Sequence, residues 1–270
     1  MKNKKFPKWI APVALFMVVM FTVLFFLQKL LMPKYMSDIV EGALTAEYYE
    51  ETTDHEVIFV GDCEVYENFS PITLYEEFGI TSYIRGSAQQ LPWQSYYMLE
   101  DTLRYEMLDY LFPILRYHSR WSDLSSDDFK YMFKKDKISH NGYYMRVDVR
   151  PAKGFPEPDK LADYTLGNNA MKYLDKMRVL CEENGIEFVL VKSPSLFPHW
   201  YDEWDEQIEA YAEKYNLDYF NYEKMAEKVG IDYNTDTYDA GLHLNLDGAE
   251  KLSRYFGTYL KENYDLTDYR

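Results

Sequence analysis

From Val57 onward the hydrophobic and polar positions of the chain switch repeatedly between a two-residue and a helical period. Val57-Ile58-Phe59-Val60 is a β-branched and aromatic run that predicts a strand over 56–60. It breaks at Gly61-Asp62, ahead of a helical stretch from 64 to 78. Ile80-Thr81-Ser82-Tyr83-Ile84 predicts a second strand over 80–84, followed by Arg85-Gly86-Ser87 and a helical stretch through Tyr105. Met171, Leu174, Met177, Leu180 and Cys181 then recur at helical spacing and predict a helix over 168–184, stopped at Asn184-Gly185. A strand over 186–192, a helix over 202–215, a strand over 217–222 and a short helix to Val229 come next. The chain closes with a helix over 246–263, whose apolar face is Leu246, Ala249, Leu252, Tyr255, Phe256, Tyr259 and Leu260. Strands alternating with helices mean βαβ units, so the predicted fold class is α/β: a parallel sheet with helices on both faces. Such sheets place ligands at the carboxyl ends of their strands. Cys63, Gly86 and Ser193 all fall just past strand ends.

Residues 106–165 do not keep this rhythm. The stretch from Leu108 to Trp121 reads as a helix interrupted at Pro113. Ser125-Ser126-Asp127-Asp128 is a cap-like start to another short helix. Asn141-Gly142 reads as a turn, Met145-Arg146-Val147-Asp148-Val149 as part of an edge hairpin, and 151–160 as a Pro-rich excursion. No internal repeat or heptad run is present.

The first 40 residues change the picture. Lys2, Lys4, Lys5 and Lys8 precede an uncharged run from Trp9 to Leu27, which Leu30-Leu31-Met32 extend. A helix needs ~20 apolar residues to cross a bilayer, whereas the apolar region of a cleaved signal is usually ~7–15 residues and ends in a small-x-small site. The residues after this run, Gln28-Lys29-Leu30-Leu31-Met32-Pro33, contain no such site. The pattern predicts a basic cytoplasmic tail (1–8), an uncleaved transmembrane anchor (9–32), a polar connector (33–54) and an extracytoplasmic domain (55–270) with a variable insertion at about 106–165. Residues 1–40 carry six Lys and one Asp, a net of +5, so the formal total of −16 leaves −21 on residues 41–270. An acidic domain of that size excludes nucleic acid as an expected partner, and it fits polyanionic substrates poorly.

Two cysteines in an exported domain form no disulfide framework. Cys181 lies on the apolar face of its helix, while Cys63 has no such stripe behind it. A cysteine between a strand and a helix start sits beside the positive helix end, which favours a thiolate. Of the five histidines, His243 in Asp239-Ala240-Gly241-Leu242-His243 is the candidate base, with Asp236 and Asp239 both placed to orient its ring. His118 and His140 read as surface or packing residues. Lys192, Ser193, His199, Trp200 and Trp204 lie on or beside a loop that either walls the crevice or packs onto the helix after it. No metal, nucleotide or other cofactor motif is present: there is no Cys pair, no His-x-x-x-His, no P-loop and no Gly-x-Gly-x-x-Gly after a strand.

Taken together, Gly61-Asp62-Cys63 and Asp239–His243 resemble the SGNH, or GDSL-like, esterases and acyltransferases, over roughly 55–105 and 165–265. The family carries Gly-Asp-Ser after its first strand and Asp-x-x-His before its last helix; here Cys replaces Ser, and one extra residue separates Asp from His. The resemblance implies a flavodoxin-like three-layer parallel sheet, with Cys63 as nucleophile, His243 as base and Asp239 orienting it. Gly86, with Asp62 and Ser193, would serve the oxyanion and the substrate. It also implies a central third strand and an Asn-bearing loop. No Val/Ile-rich run lies between Tyr105 and Arg146, so either Met145–Val149 supplies that strand or the sheet is incomplete. Asn141 is the one tempting Asn donor. The expected activity is removal or transfer of a small, acetyl-type acyl group on cell-envelope or exported polysaccharide. The expected partners are a glycan or acylated small molecule, the membrane, and a membrane acyl-transfer protein. A catalytically inactive module that binds the same polymers is the competing expectation; a thiol-redox protein is disfavoured because no Cys-x-x-Cys exists.

Overall fold

The computed structural model describes residues 9–32, 40–103, 112, 114–134, 137–154 and 157–270. The basic tail, the start of the connector, the Pro113 interruption and Phe155-Pro156 lie outside the described residues. The chain divides into two compact units, one of residues 1–49 and 105–137, the other of residues 50–104 and 138–270.

In the first unit, helix α1 (Ile10–Leu31) has 22 residues. At ~1.5 Å per residue it spans about 33 Å, against ~30 Å of bilayer hydrocarbon. Among the described residues it is the one helix long and apolar enough to cross a membrane. Helix α2 (Val40–Tyr48) falls within the span read as a connector and buries Ala43, Leu44 and Ala46. The guanidinium of Arg120 donates to the Leu31 carbonyl at 2.6 Å and to Asp128 Oδ1 at 2.9 Å. Asp128 Oδ2 also accepts from the Ser125 amide at 2.9 Å, which closes the cap expected from the Ser-Ser-Asp-Asp start.

The second unit is α/β, and its strands pair in parallel. Strand β1 (Val57–Gly61) pairs with β2 (Ser82–Gly86) in a register that sets Gly61 opposite Gly86. Strand β3 (Leu190–Lys192) pairs with β4 (Tyr219–Asn221). Among the described residues these are two separate two-stranded ladders, and no strand joins them. Met145–Val149 does not supply one. Its Arg146 carbonyl instead accepts from the amide of Leu246, the first residue of the last helix, at 2.7 Å, and the residue after the segment, Arg150, donates its amide to the Thr237 carbonyl at 2.8 Å. The hairpin shrinks to a single bridge, His140 to Tyr143, around Asn141-Gly142. Both turn residues have positive φ, 52° and 81°.

Side chains, rather than ladders, tie the two strand pairs together. The last helix, Leu246–Asn263, sends Phe256 between them, with ring centroids 5.9 Å from Phe59, 5.9 Å from Phe69 and 6.2 Å from Phe220. Its buried residues Ala249, Leu252, Phe256 and Leu260 lie on the apolar face expected from the sequence. Val60 alternates to the other side of β1 and packs with Phe188 against Leu99, Met177, Leu180 and Cys181. Those four come from the helices Pro92–Leu103 and Asn168–Glu183. Cys181 is thus an ordinary core residue, and burial pushes its thiol up to about 11.

Candidate functional site

The expected helix over 64–78 is two helices. The first, Cys63–Tyr66, is a single turn capped by Asp62, whose carboxylate accepts from the Glu64 amide at 3.0 Å. Pro71–Phe78 begins anew with Ser70 as cap and a proline in its first turn. The kink between them places Glu67 and Asn68 in the interior, 5% and 0% exposed. Because the first helix is one turn long, its dipole is small. The charge around Cys63 therefore comes from neighbouring side chains.

Cys63, half-buried, lies at the carboxyl end of β1 beside His243, which is 7% exposed. Asp239 Oδ2 is 2.6 Å from His243 Nδ1, and Asp239 Oδ1 accepts from the His243 amide at 2.8 Å. A carboxylate only accepts, so Nδ1 carries a proton and Nε2 is the nitrogen left for chemistry. Nε2 is buried with no hydrogen-bond partner; the Cys63 thiol acts on the ring as a close neighbour, but without a well-formed bond to that nitrogen.

Asp236 does not compete for the ring. Its carboxylate takes the Lys251 ammonium at 2.6 Å, the Asp232 amide at 2.8 Å and the Thr235 hydroxyl at 2.9 Å. The extra residue between Asp239 and His243 is absorbed by two consecutive residues of positive φ, Ala240 at 72° and Gly241 at 105°. A side chain at Gly241 would also meet Leu196, 2.9 Å from an ideal Cβ. The loop thus keeps the Asp–His contact while lengthening its spacing by one.

One asparagine holds the halves of the site together. Asn68 Oδ1 accepts from the Leu244 amide at 2.7 Å, next to His243, and Asn68 Nδ2 donates to Ser193 Oγ at 2.6 Å. Ser193 Oγ in turn donates to the Glu64 carbonyl at 3.2 Å. The Ser193 hydroxyl, expected on the substrate side, is therefore engaged within the protein and braces β3 to the Cys63 turn. Lys192, 9% exposed, donates to Glu64 Oε2 at 3.0 Å on the same seam.

Gly86, expected just past its strand, is the last residue of β2, beside the β1 turn. An ideal Cβ there would lie 3.1 Å from the Gly61 carbonyl oxygen and 3.0 Å from the Tyr66 ring, so a side chain would fit only if these neighbours moved by a few tenths of an ångström. Asn141 is at the wrong end of the sheet to serve an oxyanion. Its side chain donates to the carbonyl of Ser82, the first residue of β2, at 3.2 Å, and its own carbonyl accepts from Ile84. It closes the outer edge of β2. Trp200 and Trp204 pack on each other at 5.6 Å, and the Trp200 indole donates to buried Asp205, so the loop after β3 packs onto its own helix. His118 and His140 are exposed. Among the described residues no group of three His, Cys, Asp or Glu converges as a metal site.

Three further groups stand around His243, namely Glu67, Tyr238 and Arg146. Glu67 Oε2 lies 3.3 Å from His243 Nδ1 and accepts from the Tyr238 hydroxyl at 2.8 Å. The Arg146 guanidinium lies 4.1 Å from the centroid of the Tyr238 ring. The available signal was Ser70-Pro71, a cap and a first-turn proline inside an apparently continuous helical run.

Burial disfavours a charged His243, yet the Asp239 hydrogen bond, the Cys63 contact and the Glu67 charge outweigh it and push its pKa up to about 10. Asp239 is desolvated too, but its bonds to His243 hold it below the usual carboxylate range. Burial raises Asp62 and Glu67, against the pull of the His243 charge on both. A base whose pKa rises on folding stabilises the fold below its unfolded value, ~6.5, and loses that contribution as pH climbs through the folded value. Thermal stability is therefore expected to fall between pH ~6.5 and ~10, by at most a few kcal/mol at ~1.4 kcal/mol per pKa unit, and His243→Gln should flatten that slope. Melting curves of both chains across that range check it; parallel slopes would refute it.

No protein-family model matches the chain, and no curated protein matches it. Among solved structures, it is similar to a GDSL-like lipase from Bacteroides thetaiotaomicron, at 13% identity and a TM-score of 0.43, over 83% of this chain and 98% of that one. It is also similar to a proposed acylhydrolase from Bacteroides fragilis, at 12% identity and a TM-score of 0.42, over 80% of this chain and 94% of the other. At that level of likeness, the chemistry has to come from the site itself.

Proposed function

We propose that this chain is a membrane-anchored esterase or acyltransferase of the SGNH type that works through a thiol. The observation that carries the reading is the 2.6 Å contact of Asp239 with His243 Nδ1, which leaves Nε2 buried and unpartnered on the side of a half-buried Cys63. Cys63 Sγ, its proton already passed to Nε2, attacks the acyl carbonyl as the thiolate, forming a tetrahedral oxyanion. The amides of Cys63 and Gly86 face that charge. Collapse expels the alcohol, which leaves with a proton from Nε2, and a thioester remains on Cys63. Water or a sugar hydroxyl then attacks the thioester, His243 Nε2 accepts the incoming proton, and Cys63 leaves as the thiolate beside the imidazolium. In this reading the two parallel strand pairs are halves of one flavodoxin-like layer.

The substrate class follows from placement. Four lysines before α1 favour a cytoplasmic N-terminus and an external domain. An anchored, acidic external domain suits acetyl-type esters on neutral envelope or exported polysaccharide, received by hydrolysis or from a membrane acyl-transfer partner. The second reading, an inactive module binding the same polymers, draws on the split sheet and on Asn141 being committed to Ser82. Turnover of an aryl acetate by the full chain in detergent, with and without Cys63→Ala, separates the two. Equal rates would leave the binding module.

A further inference from the structure

We propose that Glu67 is a second acid acting on His243, a positioning residue that works with Asp239 to keep the imidazole doubly protonated. This rests on the Cys63–His243–Asp239 reading and adds to it the resting state of the pair.

Nδ1 has one proton, and Asp239 at 2.6 Å holds it; Glu67 at 3.3 Å therefore acts through its charge. A carboxylate 5% exposed is costly unless it is compensated. Glu67 is compensated by the imidazole itself, by the Tyr238 hydroxyl, donating at 2.8 Å, and at longer range by Arg146. The charged and titratable groups facing this ring come from each surrounding element. Cys63 and Glu67 come from the turn after β1, Asp62 from the end of that strand, and Asp239 with Tyr238 from the loop before the last helix. Arg146 reaches Glu67 from above Tyr238, and Tyr143 feels the Glu67 charge from the hairpin side. Three carboxylates thus surround one imidazole, with Arg146 over the Tyr238 ring and Lys192 beside Asp62 as the neighbouring cations. A neutral imidazole would leave that negative charge poorly balanced.

A doubly protonated ring also gives the buried, unpartnered Nε2 a purpose. It presents an N–H to Cys63 in the resting enzyme, and to the departing alcohol oxygen during acyl transfer. Glu67 touches neither the substrate nor the reacting atoms, so its contribution runs through His243.

The test is a nitrogen NMR titration of the full chain in detergent, labelled at histidine, with His243 assigned by loss of its signals in His243→Gln. In the wild type both ring nitrogens are expected to stay protonated well above the ordinary imidazole value of ~6.5. Glu67→Gln keeps the shape and the Tyr238 contact, and should lower the His243 midpoint by about one pH unit or more; Glu67→Asp should restore most of it. A merely structural Glu67 would lower the melting temperature without moving the midpoint, and that result would overturn the proposal. Should Glu67→Gln fail to fold, Tyr238→Phe serves instead. It strips Glu67 of its donor while keeping its charge, so the midpoint should hold or rise, and a fall would count against the proposal. A wild-type midpoint near 6.5 would instead sink the paired-acid site itself. A raised midpoint unmoved by Glu67→Gln would sink only the role of Glu67.

Discussion

Cys63→Ala is expected to lower aryl acetate turnover by at least about 10³-fold, or ~4 kcal/mol of transition-state stabilisation, with no loss of fold. Cys63 is half-buried at a strand end and fills no core position, so its removal leaves no large cavity. What is lost is the covalent step, because the remaining His243 and oxyanion donors can only assist a direct attack by water. Cys63→Ser is a different experiment. Serine is a far weaker acid than cysteine and needs a neutral imidazole to take its proton. The substitution also removes the thiol's share of the His243 elevation. That variant should therefore keep part of the activity and gain rate as pH rises and His243 becomes neutral. Rates measured over pH 6–10 for the three chains check both statements. A Cys63→Ala enzyme as fast as wild type would end the thiol mechanism.

Asn68→Ala is expected to cost about 3 kcal/mol and to reduce turnover beyond what its stability loss explains. The side chain is fully buried and joins elements far apart in sequence: the turn after β1, the end of β3 and the loop that carries His243. Alanine strands the Leu244 amide in an interior where that residue is 0% exposed, and opens a small void beside it. For a domain of this size the loss corresponds to a melting shift of roughly 6–12 °C. Asn68→Asp keeps the acceptor for Leu244, and Ser193 can turn its hydroxyl to donate, so it should cost less. Melting temperatures and aryl acetate rates of the full chain in detergent measure both effects. An Asn68→Ala chain that melts within ~2 °C of wild type would show that the seam is held by other contacts.

What could be read from the sequence follows the range of the forces involved. The strand expected over 56–60 lies at 57–61, and the last helix has the expected limits, because each is set by local period and by caps such as Asn245. The Asp239–His243 contact was legible as a short-range pattern, with Asp239 preferred through the resemblance, and the fold adds the Lys251 and Asp232 partners that hold Asp236 away from the ring. Ile186–Lys192 reads as one strand, yet only its last three residues pair, since β4 offers a partner over Tyr219–Asn221 alone. Met145–Val149 has strand-like residues, but its backbone groups find partners in the 235–246 loop before any ladder can claim them. Ser193 was placed by its strand end, but what Glu67, Asn68 and Ser193 bond to was beyond periodicity altogether. Their partners lie 125 to 176 residues away, and a contact of that separation leaves no trace in a local pattern.

Trapping the acyl group on the chain tests the central claim most directly. The full chain in detergent would be mixed with an aryl acetate, quenched in acid and digested, and the acetyl mass located by peptide mapping. A thiol nucleophile predicts one acetyl group on the Cys63 peptide, none on the Cys181 peptide, and none on either in His243→Gln. Acetylation scattered over lysines at the same rate in wild type and Cys63→Ala, with Cys63 unmodified, would contradict it.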